Sequence, residues 1–285
     1  MTGDELHRDA ASEPDELESR LKQVVPWGRS FAEYVEMFSL SESDLGGRIL
    51  DCGGGPASFN AEATARGLRV VSFDPIYAFT VEAIAARVEE TYDVIMAGVE
   101  AERDRFVWDR MGSPARLGEV RLAAMHCFLE DFDAGLREER YIAASLPSLP
   151  FETGEFDLAL CSHLLFLYSD GLSRRVHVDA IEEMLRVAGR VRVFPLLDMG
   201  GRTSAHLRPV IEELRTDAAV VRIVPTPYEF QRGGDRMLVV EAVGAPPMPT
   251  PQTAGRGSAI GCTSARADAA CGHEAGVGKR VLDDG

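Results

Sequence analysis

The sequence predicts an α/β fold, a three-layer sandwich around one mostly parallel, seven-stranded sheet that ends in an antiparallel hairpin. Three observations carry that expectation. Short apolar runs alternate with helical stretches from residue 48 onward. One of these runs, ILDCGGGPASFN (residues 49–60), ends in an acid followed closely by three glycines. Another, FDLALCS (156–162), is apolar almost throughout, as a central strand covered on both faces should be.

The elements follow in order. Residues 1–22 read as a flexible acidic arm, and 23–243 as one domain. In VVPWGRSFAEYVEMFSL, Phe31, Tyr34, Val35 and Phe38 share a helical face, so this segment packs on the sheet domain. Strand 48–52, helix 58–66 closed by Gly67, and strand 68–74 then make a βαβ unit. Val81, Ile84, Val88, Ile95 and Val99 predict a helix over about 80–108. Ser113 and Pro114 look like an N-cap and first helical position, opening a second helix to about 139. Together these form a helical insertion over 80–140, longer than one crossover needs. It would act as a lid, a specificity element or the surface of a homodimer, and the sequence does not choose among these.

Strand 141–146, strand 156–162, helix 173–187 and strand 190–197 come next. Helix 206–217 and strands 220–224 and 237–243 complete the pattern, with QRGGD suggesting a hairpin. Residues 244–285 are rich in Pro, Gly, Ala, Ser and Thr without periodicity and read as a disordered tail.

Composition bounds the function. Of 285 residues, 45% are apolar, and the formal net charge is −16. Such a chain is repelled by phosphate backbones, which disfavours a nucleic-acid partner. Lys22 and Lys279 are the only lysines. Five cysteines, with no C-x-x-C pair, fit a reducing compartment. The polar N-terminus and the lack of a long apolar run predict no membrane span and a cytoplasmic location. The scattered histidines show no metal-ligand spacing, so no metal is expected.

An open α/β sheet binds ligands beyond the carboxyl ends of its strands. Gly53 and Gly55 supply two positions of a G-x-G-x-x-G turn, but Ser58 stands at the third, which counts against a dinucleotide. No G-K-[ST] follows, so a P-loop is excluded. Asp74 ends the second strand, where a carboxylate can take both hydroxyls of a ribose. The pattern calls for a nucleoside-containing ligand.

LDCGGGPASF, VVSFD and LPSLPFETGEFDLALCSHLLFLY together resemble the class I S-adenosylmethionine-dependent methyltransferases, Rossmann-like and similar to methyltransferase type 11. The likeness covers roughly 48–243, less the insertion. It implies S-adenosyl-L-methionine as cofactor, with Asp51, Gly53 and Gly55 along its methionine part. It places the ribose on Asp74 and the adenine between Pro75 and Ile76. Ser145 and Leu146 stand where the family commonly has an acid facing the adenine, a departure that puts adenine recognition in doubt. Cys161, Ser162 and His163 end the fourth strand, where the methyl group would point.

His163 is the candidate catalytic base, or else a hydrogen-bonded wall residue. Tyr77, Tyr168 and Trp27 line a pocket or pack in the core. Arg29 meets the cofactor carboxylate or lies on the surface. Cys52 reads as a small core residue, and FLEDFD (128–133) as a solvated face. The resemblance implies methyl transfer to an unidentified acceptor; the acidic charge favours a small molecule over a nucleic acid and leaves a protein acceptor open. The alternatives are a catalytically inactive S-adenosylmethionine-binding scaffold and a nicotinamide-dependent oxidoreductase.

Overall fold

The computed structural model describes residues 25–245, so the expected arm at 1–22 and nearly all of the 244–285 tail lie outside the described residues. Strands β1 (Arg48–Cys52), β2 (Arg69–Phe73), β3 (Tyr141–Ile142), β4 (Leu158–Ser162), β5 (Arg190–Phe194), β6 (Ala219–Pro225) and β7 (Arg236–Ala242) form one sheet. Its order is β3-β2-β1-β4-β5-β7-β6. The first five strands in that order pair in parallel, while β7 runs antiparallel to both β5 and β6. Strand order reverses between β1 and β4, so the ligand crevice of a doubly wound sheet opens at their carboxyl ends.

Among the described residues there are seven α-helices: α1 (Phe31–Met37), α2 (Glu42–Gly46), α3 (Phe59–Ala65), α4 (Val81–Ala101), α5 (Pro114–Arg137), α6 (Arg174–Val187) and α7 (Leu207–Leu214). Alternation along β1 shows the layering. Leu50 and Cys52 join Ile181 and Met184 of α6 and Val210 of α7 in one core. Ile49 faces the other way, with Tyr34 of α1, Phe38 just after it and Phe59 of α3. The helix α5 continues this second layer beyond α3 and reaches β3, and α4 packs on α5.

Helix starts are written locally. Ser30 with Glu33, and Ser41 with Asp44, form capping boxes for α1 and α2. Thr80, Ser113 and Ser173 cap α4, α5 and α6. Ends are set by tertiary contacts. The helix expected to run to 108 stops at Ala101, because the following chain leaves to pair with the β6–β7 loop, Val107 N–H donating to Phe230 O at 2.7 Å. The third strand, expected over 141–146, pairs over two residues only; Ser145 and Ser148 bridge to each other in a turn instead. The fifth stops at Phe194 rather than 197 because Pro195 offers no N–H to a neighbour. A short helix, α2, fills the turn before β1.

The FLEDFD segment is more than a solvated face. Phe128 and Phe132 are fully buried, and Asp131 accepts hydrogen bonds from Arg140 and the Tyr141 hydroxyl, tying α5 to β3. No described helix is long and apolar enough to cross a membrane.

Candidate functional site

The glycine loop leaves β1 at the switch point and folds back over β2. The N–H groups of Gly53 and Gly54 both point at Phe73 O, at 2.9 and 3.3 Å. Gly53 and Gly55 have φ of 67° and 53°, the left-handed region that glycine enters freely. At Gly54 the requirement is space: a Cβ would lie 2.4 Å from Asp51 Oδ2 and 2.8 Å from the Tyr77 hydroxyl.

Asp74 stands at the end of β2, partly buried, directly under this loop. Its Oδ2 accepts from Gly55 N–H at 3.0 Å and its Oδ1 from Ile76 N–H at 2.8 Å. Burial pushes its carboxyl up to about 6 against the pull of those two bonds. Pro75, exposed, and Ile76, buried, open the following 3₁₀ turn (Pro75–Ala78). Ser145 is exposed and Leu146 packs partly against the main core.

Two expected site residues turn inward. Cys161 is fully buried in the main core, and burial raises its thiol to about 12, so only its backbone can meet a ligand. Asp51 is 1% exposed; its Oδ1 accepts from the Tyr34 hydroxyl at 3.0 Å and its Oδ2 from Ser72 Oγ at 2.9 Å. Burial first, then the charge of Asp74, raise Asp51 to about 7. Tyr77 is likewise core, its hydroxyl bonding Gly55 O at 2.8 Å.

His163 follows β4 with φ of 50°, a left-handed position that few side chains occupy. Its N–H donates to Phe194 O at 2.6 Å, and its Nδ1 lies 2.8 Å from Ser162 Oγ. In the tautomer that donates Nδ1–H to Ser162 Oγ, Nε2 keeps its lone pair. Burial, followed by the charges of Arg29 and Arg121, holds the imidazole well below its usual range, so it is neutral at pH 7.

Beside His163 lies a cavity of about 180 Å³ whose walls include Trp27, Arg29, Phe106, Phe194, Tyr228 and Phe230. Val99, Glu102, Arg105 and Phe106 come from the insertion, so this segment forms part of the wall. Phe106 stacks on Phe230 with ring centroids 4.8 Å apart. The Trp27-Gly28-Arg29 segment lies on the glycine loop: Ser58 N–H donates to Arg29 O at 3.1 Å, and a Cβ on Gly28 would sit 2.1 Å from Pro56 O. Tyr168 is 41% exposed and outside this wall.

Sequence patterns missed the buried group behind the cavity. Glu33 binds Arg121 through both oxygens, at 2.5 and 2.7 Å, and accepts from the Tyr228 hydroxyl at 2.9 Å. Burial works to raise Glu33, but Arg121 prevails and brings it to about 2. Its capping-box spacing from Ser30 was visible; its partners, 88 and 195 positions away, were not. Among the described residues, no group of three or more His, Cys, Asp or Glu side chains is placed to hold a metal ion.

No protein-family model matches the sequence. The chain is 32% identical over 221 residues to the uncharacterized protein MJ0045 of Methanocaldococcus jannaschii, covering 77% of this chain and 97% of that protein. Among solved structures, the pyocyanin biosynthetic protein PhzM overlaps at 16% identity and a TM-score of 0.39, over 74% of this chain and 54% of PhzM, so the chain spans about half of its length. The magnesium protoporphyrin IX methyltransferase ChlM of Synechocystis PCC 6803 overlaps at 13% identity and a TM-score of 0.34, over 69% of this chain and 70% of ChlM. The strand order seen here, with β7 antiparallel between β5 and β6, makes this a class I methyltransferase fold, and the chain belongs to the family of the Methanocaldococcus jannaschii protein MJ0045.

Proposed function

We propose that the protein is an S-adenosylmethionine-dependent methyltransferase acting on a small molecule. The observation that carries this reading is the pair at the switch point. A loop whose Gly54 has no room for a side chain lies over Asp74, a partly buried strand-end carboxylate anchored by Gly55 and Ile76 N–H groups. The residues fit the cofactor. Each Asp74 oxygen has a second lone pair beyond its backbone bond, enough for two ribose hydroxyls, and the loop lets a ligand approach the backbone closely. Gly53 and Gly55 would lie along the methionine part, and Pro75 and Ile76 would flank the adenine. Asp51 would support the loop from beneath.

The cofactor, when bound, supplies an electrophilic methyl group. The chain's part is to hold the acceptor, exclude water and take a proton. His163, neutral and lining the cavity, would receive at Nε2 the proton of an acceptor O–H or N–H as its lone pair is used. The tautomer that leaves Nε2 open donates its Nδ1–H to Ser162 Oγ.

Calorimetry with S-adenosylmethionine and S-adenosylhomocysteine tests the cofactor assignment. Wild type should bind both, and Asp74→Asn should weaken each by about 1–3 kcal/mol, as loss of a charged acceptor does. No binding to folded wild type would sink the reading. His163→Gln should leave that affinity unchanged and cut turnover roughly 10²–10⁴-fold once an acceptor is known; undiminished turnover would return His163 to the wall.

A further inference from the structure

We propose that the acceptor is a small, ring-sized molecule bearing a carboxylate or phosphate, and that Arg29 binds this anionic group inside the cavity. That the occupant is a methyl acceptor rests on the methyltransferase reading; its charge is read from the cavity itself.

Every other charge in the wall is already matched. Arg105 pairs with Glu102 and donates to Met199 O at 2.6 Å. Behind the wall, Glu33 and Arg121 neutralise one another. His163 is neutral. Arg29 remains: its Nη1 donates to Trp27 O at 3.0 Å, its buried Nε has no partner, and no carboxylate among the described residues is bonded to it. Arg121 and Arg192 share an orphan Nε, but each has a carboxylate on its terminal nitrogens. Burial and the repulsion of Arg121 outweigh the attraction of Glu33 and lower Arg29 to about 10, so it stays charged at pH 7 in a place that disfavours the charge. An unmatched buried cation is costly until an anion meets it.

Shape narrows the ligand further. Trp27, Phe106, Phe194, Tyr228 and Phe230 give flat apolar walls. A volume of about 180 Å³ is below the roughly 300–1,000 Å³ of drug-sized sites. The Arg29 backbone is held in place, since Gly28 is wedged against Pro56 and Arg29 O takes the Ser58 N–H, and the guanidinium is tied to it by the bond to Trp27 O. The same closeness to the loop makes the cofactor's own carboxylate a second source of the same chemistry. The cavity favours the acceptor: its lining includes His163 and Phe230 but not Asp51, Gly53, Gly55 or Asp74.

The test titrates the full chain with para-hydroxybenzoate, phenyl phosphate and the uncharged para-hydroxybenzamide, with and without S-adenosylhomocysteine, by calorimetry and Trp fluorescence. The expected result is at least tenfold preference for one of the anions over the amide, the preferred arm telling carboxylate from phosphate. Arg29→Gln should abolish that preference while changing S-adenosylhomocysteine affinity by less than twofold. Should Arg29→Gln not fold, Arg29→Lys gives the reading. Weaker anion binding with amide binding unchanged supports the assignment, and no change in either overturns it. Equal binding of anions and amide by wild type, or no binding of either anion, also overturns it. So does Arg29→Gln that weakens S-adenosylhomocysteine tenfold and spares the anions, which would give Arg29 to the cofactor. If S-adenosylhomocysteine fails to bind wild type, the methyltransferase reading falls, while the anion preference is still measured without it.

Discussion

Asp51 and Asp74 sit under one loop with no cation among the described residues bonded to either, and burial makes both reluctant to ionise. The consequence for stability has a definite sign. A carboxyl whose folded value is raised keeps its proton in the folded state while the unfolded chain has lost it. Its stabilising contribution is therefore full below 3.8 and is lost as pH rises toward about 7 for Asp51 and about 6 for Asp74. His163 and His177, whose values burial lowers, act in the opposite sense over part of the same window, so the test is a comparison. The melting temperature of wild type should fall with rising pH relative to that of Asp51→Asn, whose amide can still serve Tyr34 and Ser72. A difference between the two that stays flat from about pH 4 to about 7 would contradict the burial account of Asp51. Gly54→Ala forces a methyl to within 2.4 Å of Asp51 Oδ2. It should cost about 1–3 kcal/mol by overpacking, read in urea denaturation.

At the scale of elements, α1, α5 and the loop after β6 are joined by a single buried ion pair. Arg121 and Glu33 are 0% and 6% exposed, and Tyr228 closes the group. Removing one member leaves the other charged and unmatched. Arg121→Met should therefore destabilise by about 3–5 kcal/mol. The double variant with Glu33→Gln should recover much of that; equal losses in single and double variants would deny the coupling. This group also shows where reading a sequence stops. Strand β1, the cap Ser113 and the helix over 173–187 are local patterns, and each was legible. The early end of α4 and the two-residue β3 were not, because distant backbone partners and a local turn decide them. Of the candidate site, the glycines, Asp74 and His163 stand at strand ends and could be picked out. Arg29 could be named, but its lack of a bonded carboxylate exists only once Glu33 has found Arg121.

For the whole molecule, the cavity walls come from separate stretches: Trp27 and Arg29, Val99 to Phe106, His163 and Leu167, Phe194 to Met199, and Tyr228 to Gly234. No one stretch makes a binding surface alone. A ligand seated there therefore binds only the folded state, and its free energy of binding is added to that of folding. By mass action, a ligand at a hundred times its Kd stabilises by about 2.7 kcal/mol. The stacking of Phe106 on Phe230 thus turns the molecule into its own detector: acceptors can be sought by melting the protein in a compound library, before any product has been identified.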